Sequence, residues 1–390
     1  MYTEQARRTI QRRTFLSLVG MSSAATILST ALPRPVAAIE DARWPGYRDA
    51  IVIDTLGGPG TAYGAGDDSS TPLSASEIDD VRHSGLTAMN VTIGGYHEYA
   101  TDFDTTTDAI AYWSNQIASH PGVFVLIRHA SEIESAKRAG KMGILFGIQG
   151  TAAMGENLQH FDTLCNAGVR IFQLTYNRRC LVGDGCLEPG NAGLSKLGLT
   201  LVAELNKRNA LIDLSHAGER TTLEAIDASA KPIAITHTGC AALAPNPRNK
   251  TDNELSRLAK RGGYVGIYLM PFLRTQGQPM AEDLIRHIDH AVEICGEDHV
   301  GIGTDGTISP VAVTPEFKKA FADQINQRRK LGISAPGEDP NVYTFSPDLN
   351  RADRFEVIAG LLAARNYSDG QIRKILGGNF YRLLQQVWND

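Results

Sequence analysis

The hydrophobic and polar positions of this chain recur as one unit. A short run of Val, Ile and Leu is followed by a glycine or polar residue, then by a longer stretch with apolar residues at helical spacing. Eight such runs succeed one another, at residues 51–54, 86–93, 143–149, 169–175, 210–215, 232–236, 263–269 and 299–304. Each is continuously apolar rather than alternating, which is the pattern of parallel strands covered on both faces. Between them, residues 198–208 put Leu199, Val202 and Leu205 on one helical face, and residues 281–295 read as another helix. Eight strand–helix units in series predict an α/β fold, the (β/α)8 TIM barrel.

The first 38 residues break this pattern. Arg12-Arg13-Thr14-Phe15-Leu16 sets two arginines ahead of an apolar run from Leu16 to Leu32, and Val36-Ala37-Ala38 supplies small residues for cleavage after Ala38. This resembles a twin-arginine export signal. Gly20, Ser22, Ser23, Thr26, Ser29 and Thr30 dilute the run, which makes it poor as a permanent membrane anchor. The expectation is a signal peptide at 1–38, one barrel domain at 39–390, and a periplasmic or secreted product. Twin-arginine export carries folded proteins, so it suits a barrel with a bound metal without requiring one.

Composition narrows the partners. A net charge of -5 without a long basic run argues against nucleic acid. Hydrophobic residues at 42% and 38 glycines fit a barrel with a large core. Five cysteines show no zinc-finger spacing; Cys180 and Cys186 are placed to close a small loop in an oxidising compartment, though free thiols are the preferred reading. Residues 306–350, rich in Pro and charge, suggest an insertion over the barrel mouth.

Catalytic groups in a barrel of this kind sit at the carboxyl ends of the strands. There the chain places Gln149, then Tyr176-Asn177, His216, His237 and Asp305. Two imidazoles and a carboxylate from neighbouring strands suit one borderline-soft divalent metal.

Around these strand ends the chain reads Ile212-Asp213-Leu214-Ser215-His216, Thr236-His237, Pro247-Arg248-Asn249, Arg261-Gly262-Gly263, His299-Val300-Gly301-Ile302-Gly303-Thr304-Asp305 and Ile375-Leu376-Gly377-Gly378-Asn379-Phe380. In these motifs, in order along nearly the whole mature chain, the sequence resembles the membrane dipeptidase (renal dipeptidase) family of zinc peptidases. The resemblance implies a barrel of the metal-dependent hydrolase (amidohydrolase-like) type. It also implies two zinc ions bridged by a glutamate and a hydroxide that attacks a dipeptide carbonyl. His216 and His237 match the histidines of one zinc, Asp305 matches the aspartate that handles the proton, and Arg248 matches the arginine that holds the substrate carboxylate. The departures fall on the other half of the site. Leu56 and Gly58 stand where the family has a His-x-Asp ligand pair, Gln149 replaces the bridging glutamate, and Tyr176 replaces a substrate-contacting histidine.

Three readings follow. One is a hydrolase of dipeptides or small amide-like acids that uses one zinc, held by His216, His237 and either Gln149 or Asp305, with Asp305 and Tyr176 as catalytic groups and Arg248 binding substrate. Another is a metal-free periplasmic barrel that binds a small molecule or acts as an accessory protein. The last is a barrel repurposed for non-hydrolytic acid–base chemistry by Tyr176 and Asp305. In each, the partner is a peptide-like or carboxylate-bearing small molecule, and a homodimer is left open.

Overall fold

The computed structural model describes residues 43–60, 71–94, 99–156 and 158–389; the expected signal segment lies outside them. The barrel strands are β1 (Ile53–Gly58), β2 (Ala88–Thr92), β4 (Met142–Ile148), β5 (Val169–Gln173), β6 (Leu211–Asp213), β7 (Ala234–Thr238) and β8 (Tyr264–Ile267), with β3 (Phe124–Leu126) alongside β4. The eighth strand comes in two pieces, β9 (Val300–Ile302) and β10 (Gly306–Thr307). All pairings between named strands are parallel. The β9 segment pairs with β8, while β10 pairs with β1, so the strand changes partner and closes the ring. Its pivot is Asp305, held at φ 52 with its N–H donated to Leu56 O at 2.8 Å.

All eight apolar runs are strands, with shifted ends. The first extends through Gly57-Gly58, which propensity alone excludes, because those residues gain cross-strand partners in Gly306 and Thr307. Short β3 and β10 carry too little pattern to be seen in sequence. Two expected helices form, α5 at Lys196–Lys207 and α8 at Ala281–Cys295, but the buried face of α5 is Leu201, Val202 and Leu205, with Leu199 exposed. They are preceded in chain order by α1 (Ala75–Ser84), α2 (Tyr99–Ser119), α3 (Ser131–Arg138) and α4 (Phe161–Ala167), with α6 (Glu219–Ala228) and α7 (Asp252–Lys260) between them. After the eighth strand come α9 (Pro315–Lys330), α10 (Arg354–Ala364), α11 (Asp369–Arg373) and α12 (Asn379–Trp388).

The core has two parts. The larger lies between strands and helices; the smaller fills the amino-terminal end of the barrel, where Ile53, Leu145, Ile171, Leu211 and Tyr264 meet Phe380, Leu383, Leu384 and Trp388 of α12. The last helix is therefore the floor plug, which leaves the carboxyl ends of the strands open for chemistry. Higher in the lumen Thr55 crosses the barrel, donating its hydroxyl to Thr236 O at 2.6 Å, with Ile302 O at 3.1 Å. This crossing needs glycine on the neighbouring strands, since a Cβ at Gly266 or Gly303 would overlap Thr236 O and crowd the Thr55 hydroxyl.

Gly303→Ala is accordingly expected to lose about 1–3 kcal/mol of stability through overpacking. By contrast a Cβ at Gly58 meets nothing within 4 Å, so Gly58→Ala should leave the midpoint nearly unchanged. Urea denaturation of the two variants beside the wild type checks the pair; equal midpoints would contradict the packed-lumen account.

Candidate active site

The strand ends converge on a cavity of about 290 Å³, lined by Leu56, Gly58, Gln149, Tyr176, His216, Arg248 and Asp305 among others. His237 is fully buried beneath it and reaches the site through His216. The sequence-derived site residues are thus gathered in one place.

The two imidazoles are fixed by partners that settle their protons. Asp213, buried at the end of β6, accepts from Ser215 N–H, Ser215 Oγ, Thr236 N–H and Thr236 Oγ1. Burial raises its carboxyl above the ordinary value, with the bonds from Ser215 and Thr236 opposing that rise. With its proton donated to Asp213 Oδ2 at 2.6 Å, the Thr236 hydroxyl accepts from His237 Nδ1, 2.9 Å away. Similarly, Asn177 donates its amide to Ile333 O at 2.7 Å, so its Oδ1 accepts from His216 Nδ1 at 2.5 Å. Both rings carry the proton on Nδ1, and both Nε2 lone pairs point inward. They face each other at 2.9 Å.

Burial holds both histidines well below their ordinary value, with the positive charge of Arg248 adding to it, so they are neutral. Tyr176 stacks on His216 with ring centres 4.3 Å apart. Arg248, only 2% exposed, donates to Ser215 O at 2.6 Å and lies 3.0 Å from His216 Nε2. Asp305 opens onto the cavity, and burial pushes its carboxyl up to about 6 against the opposing pull of Arg248 and Arg328.

The insertion does cover the mouth. From α9, Arg328 grips Glu338 with two hydrogen bonds at 2.8 and 2.9 Å and donates to the Tyr176 hydroxyl at 3.2 Å. Arg328, Ile333 and Glu338 carry no periodic signal in sequence, and only the folded insertion brings them here; Arg354 arrives from the start of α10. The cysteines are all free; Cys186 donates its thiol to the same Asn177 oxygen that holds His216.

Two facing Nε2 lone pairs fit one cation between them, since two nitrogens on a tetrahedral zinc stand about 3.3 Å apart given bonds of about 2.0–2.1 Å. A pair of metals does not fit. Leu56 and Gly58 offer no side-chain donor, and Gln149 turns its amide nitrogen to Thr92 Oγ1 at 2.8 Å. Among the described residues no group of three or more His, Cys, Asp or Glu side chains is placed to share a metal, so the expected third ligand is not brought up to the histidines.

A barrel with ligand-bearing strand ends of this kind defines a class of hydrolase-fold proteins, and the comparisons name the family. The pattern of the membrane dipeptidase family (peptidase family M19) matches residues 70–315, and the chain belongs to that family. It is 27% identical to dipeptidase verJ of Clonostachys rogersoniana over 267 residues, 67% of this chain and 60% of that protein. It is also 27% identical to an uncharacterised protein of Klebsiella pneumoniae over 301 residues, 74% of this chain and 97% of that one. The match to dipeptidase tcpJ of Claviceps purpurea spans 54% of that protein, so the chain spans little more than half the length of the two fungal relatives. Among solved structures, an amidohydrolase from Pseudomonas aeruginosa superposes with a TM-score of 0.74 at 29% identity, covering 91% of this chain and 99% of that one. A metallopeptidase from Rhodobacter sphaeroides, solved with a phosphinate mimic of L-Ala-D-Ala, shares the fold at TM-score 0.71 and 20% identity, covering 87% and 100%.

Thr236→Val tests the proton assignment. It removes the donor to Asp213 Oδ2 and the acceptor for His237 Nδ1, and should cost about 1–3 kcal/mol. Thr175→Val is the control, because its buried hydroxyl has no partner among the described residues, and it should be neutral or stabilising. Equal losses in thermal unfolding would contradict the assignment.

Proposed function

We propose that the chain is a hydrolase of dipeptides or small amide-like acids that works with a single zinc ion, exported by the twin-arginine signal at its start. The observation that carries this reading is the pair of facing Nε2 atoms at 2.9 Å, each with its Nδ1 proton committed elsewhere. His216 and His237 would hold the ion, and Asp305 or the Gln149 oxygen would have to move up to it to complete the set. When bound, zinc supplies Lewis acidity toward a carbonyl and a water whose pKa falls to about 7.

The chain's own groups supply the rest. Arg248 donates to a substrate carboxylate, and its planar fork suits that task. Asp305, with its carboxyl near 6, is ionised at neutral pH, takes a proton during attack and gives it to the leaving nitrogen. Such transfers contribute typically about two to four decades in rate. Tyr176 covers His216 and, steadied by Arg328, keeps water off one side of the site.

A second reading has one observation in its favour. Arg248 Nη2 lies 3.0 Å from the very His216 nitrogen that a metal requires, which suits a metal-free barrel that binds a carboxylate-bearing small molecule.

Elemental analysis of purified protein separates them. One tightly held zinc per chain, lost in His216→Ala and in His237→Ala, is expected on the hydrolase reading, with dipeptide turnover about two to three decades below that of a relative with the full ligand set. No metal at all would favour the binding barrel. Two equivalents, or one equivalent without turnover of any dipeptide, would overturn the proposal.

A further inference from the structure

The side of the cavity that lacks metal ligands holds a different charge. Arg354, the first residue of α10, lines the cavity beside Gly57, Gly58 and Gly306, and is only 5% exposed. A Cβ at Gly306 would stand 3.6 Å from its Nη1, and Gly306 is the strand partner of Gly57. The guanidinium therefore sits at the end of β1, next to the positions where the family resemblance expects a ligand pair.

Its partners do not neutralise it. Nε donates to Arg351 O at 3.0 Å and Nη2 to Ile308 O at 3.2 Å, both uncharged. Among the described residues no carboxylate forms an ion pair with Arg354, and its Nη1 makes no hydrogen bond. Asp54 and Asp353 act on it only from further off. Asp54 has given both oxygens to the backbone N–H groups of Leu56 and Thr304 and to the Thr304 hydroxyl. Asp353 forms its hydrogen bonds with Arg351 and Arg43. A buried cation without a counter-charge is costly unless something pairs it. The glycines around it leave room for that partner.

Arg248 approaches the cavity from the loop after β7, and Arg354 from the side of β10 and β1. We propose that the cavity takes a ligand with two carboxylates, one held by Arg248 and the other by Arg354 in a subsite floored by Gly57, Gly58 and Gly306. For a peptide-like substrate this selects an acidic side chain on the residue opposite the carboxyl terminus. The inference rests on the reading of this cavity as the substrate site and adds its charge specificity.

Calorimetric titration of the purified chain with linear dicarboxylates from succinate to suberate, each beside the monocarboxylate of equal length, tests it without relying on turnover. At least one dicarboxylate should bind tenfold or more tightly than its monocarboxylate. That advantage should vanish in Arg354→Gln, which brings the dicarboxylate down to the affinity of its monocarboxylate. It should vanish equally in Gly306→Asp, which keeps the arginine but supplies an internal carboxylate at a position with room for a side chain. A dicarboxylate advantage that is absent, or that survives both substitutions, overturns the subsite alone. Failure of both classes to bind overturns the carboxylate-binding reading of the cavity together with it.

Discussion

The site depends on one buried carboxylate. Asp213 is not a ligand and does not face the cavity, yet its four hydrogen bonds tie β6 to β7 and consume the hydroxyl protons of Ser215 and Thr236. Ser215 Oγ is then free to accept from His237 N–H, and Thr236 Oγ1 from the His237 ring. Position and proton of the second histidine follow from this arrangement. An isolated buried charge would be expensive; four donors at once offset that cost and make the group a rigid anchor.

The first histidine is set from elsewhere. Asn177 orients His216, and the carbonyl of Ile333 in the insertion orients Asn177. The barrel wall and its cover thus fix one imidazole each. On the opposite wall Asp54 repeats the carboxylate–threonine clamp with Thr304 and also holds the Leu56 N–H, but the residues lining the cavity there are Leu56, Gly57, Gly58 and Arg354 rather than metal ligands. The cavity is therefore polarised, with neutral nitrogen donors on one side and a guanidinium on the other.

Much of this was legible in the sequence. Continuous apolar runs announced eight parallel strands, barrel logic placed Gln149, Tyr176, His216, His237 and Asp305 at one mouth, and the family resemblance added Arg248; all but the buried His237 line the cavity. At the positions of the expected second ligand set the cavity is lined by Leu56, Gly58 and Gln149, the last with its amide nitrogen on Thr92 Oγ1. What escaped was non-local. Arg328, Ile333 and Arg354 act through contacts spanning about 50 to 150 residues of chain with no local periodicity to mark them. The split of the eighth strand was equally hidden, because Asp305 adopts a left-handed backbone only where β10 turns to meet β1.

The central claim is that both inward nitrogens are unprotonated acceptors. Nitrogen-15 NMR of histidine-labelled, metal-stripped protein at pH 7.5, with His216 and His237 assigned by substitution to Gln, measures this directly. The account predicts the Nδ1–H tautomer for both rings, with an unprotonated Nε2 on each, that of His216 accepting from Arg248. A proton on Nε2 of either ring would contradict it, since the two nitrogens would then share an ordinary hydrogen bond with no place for a cation.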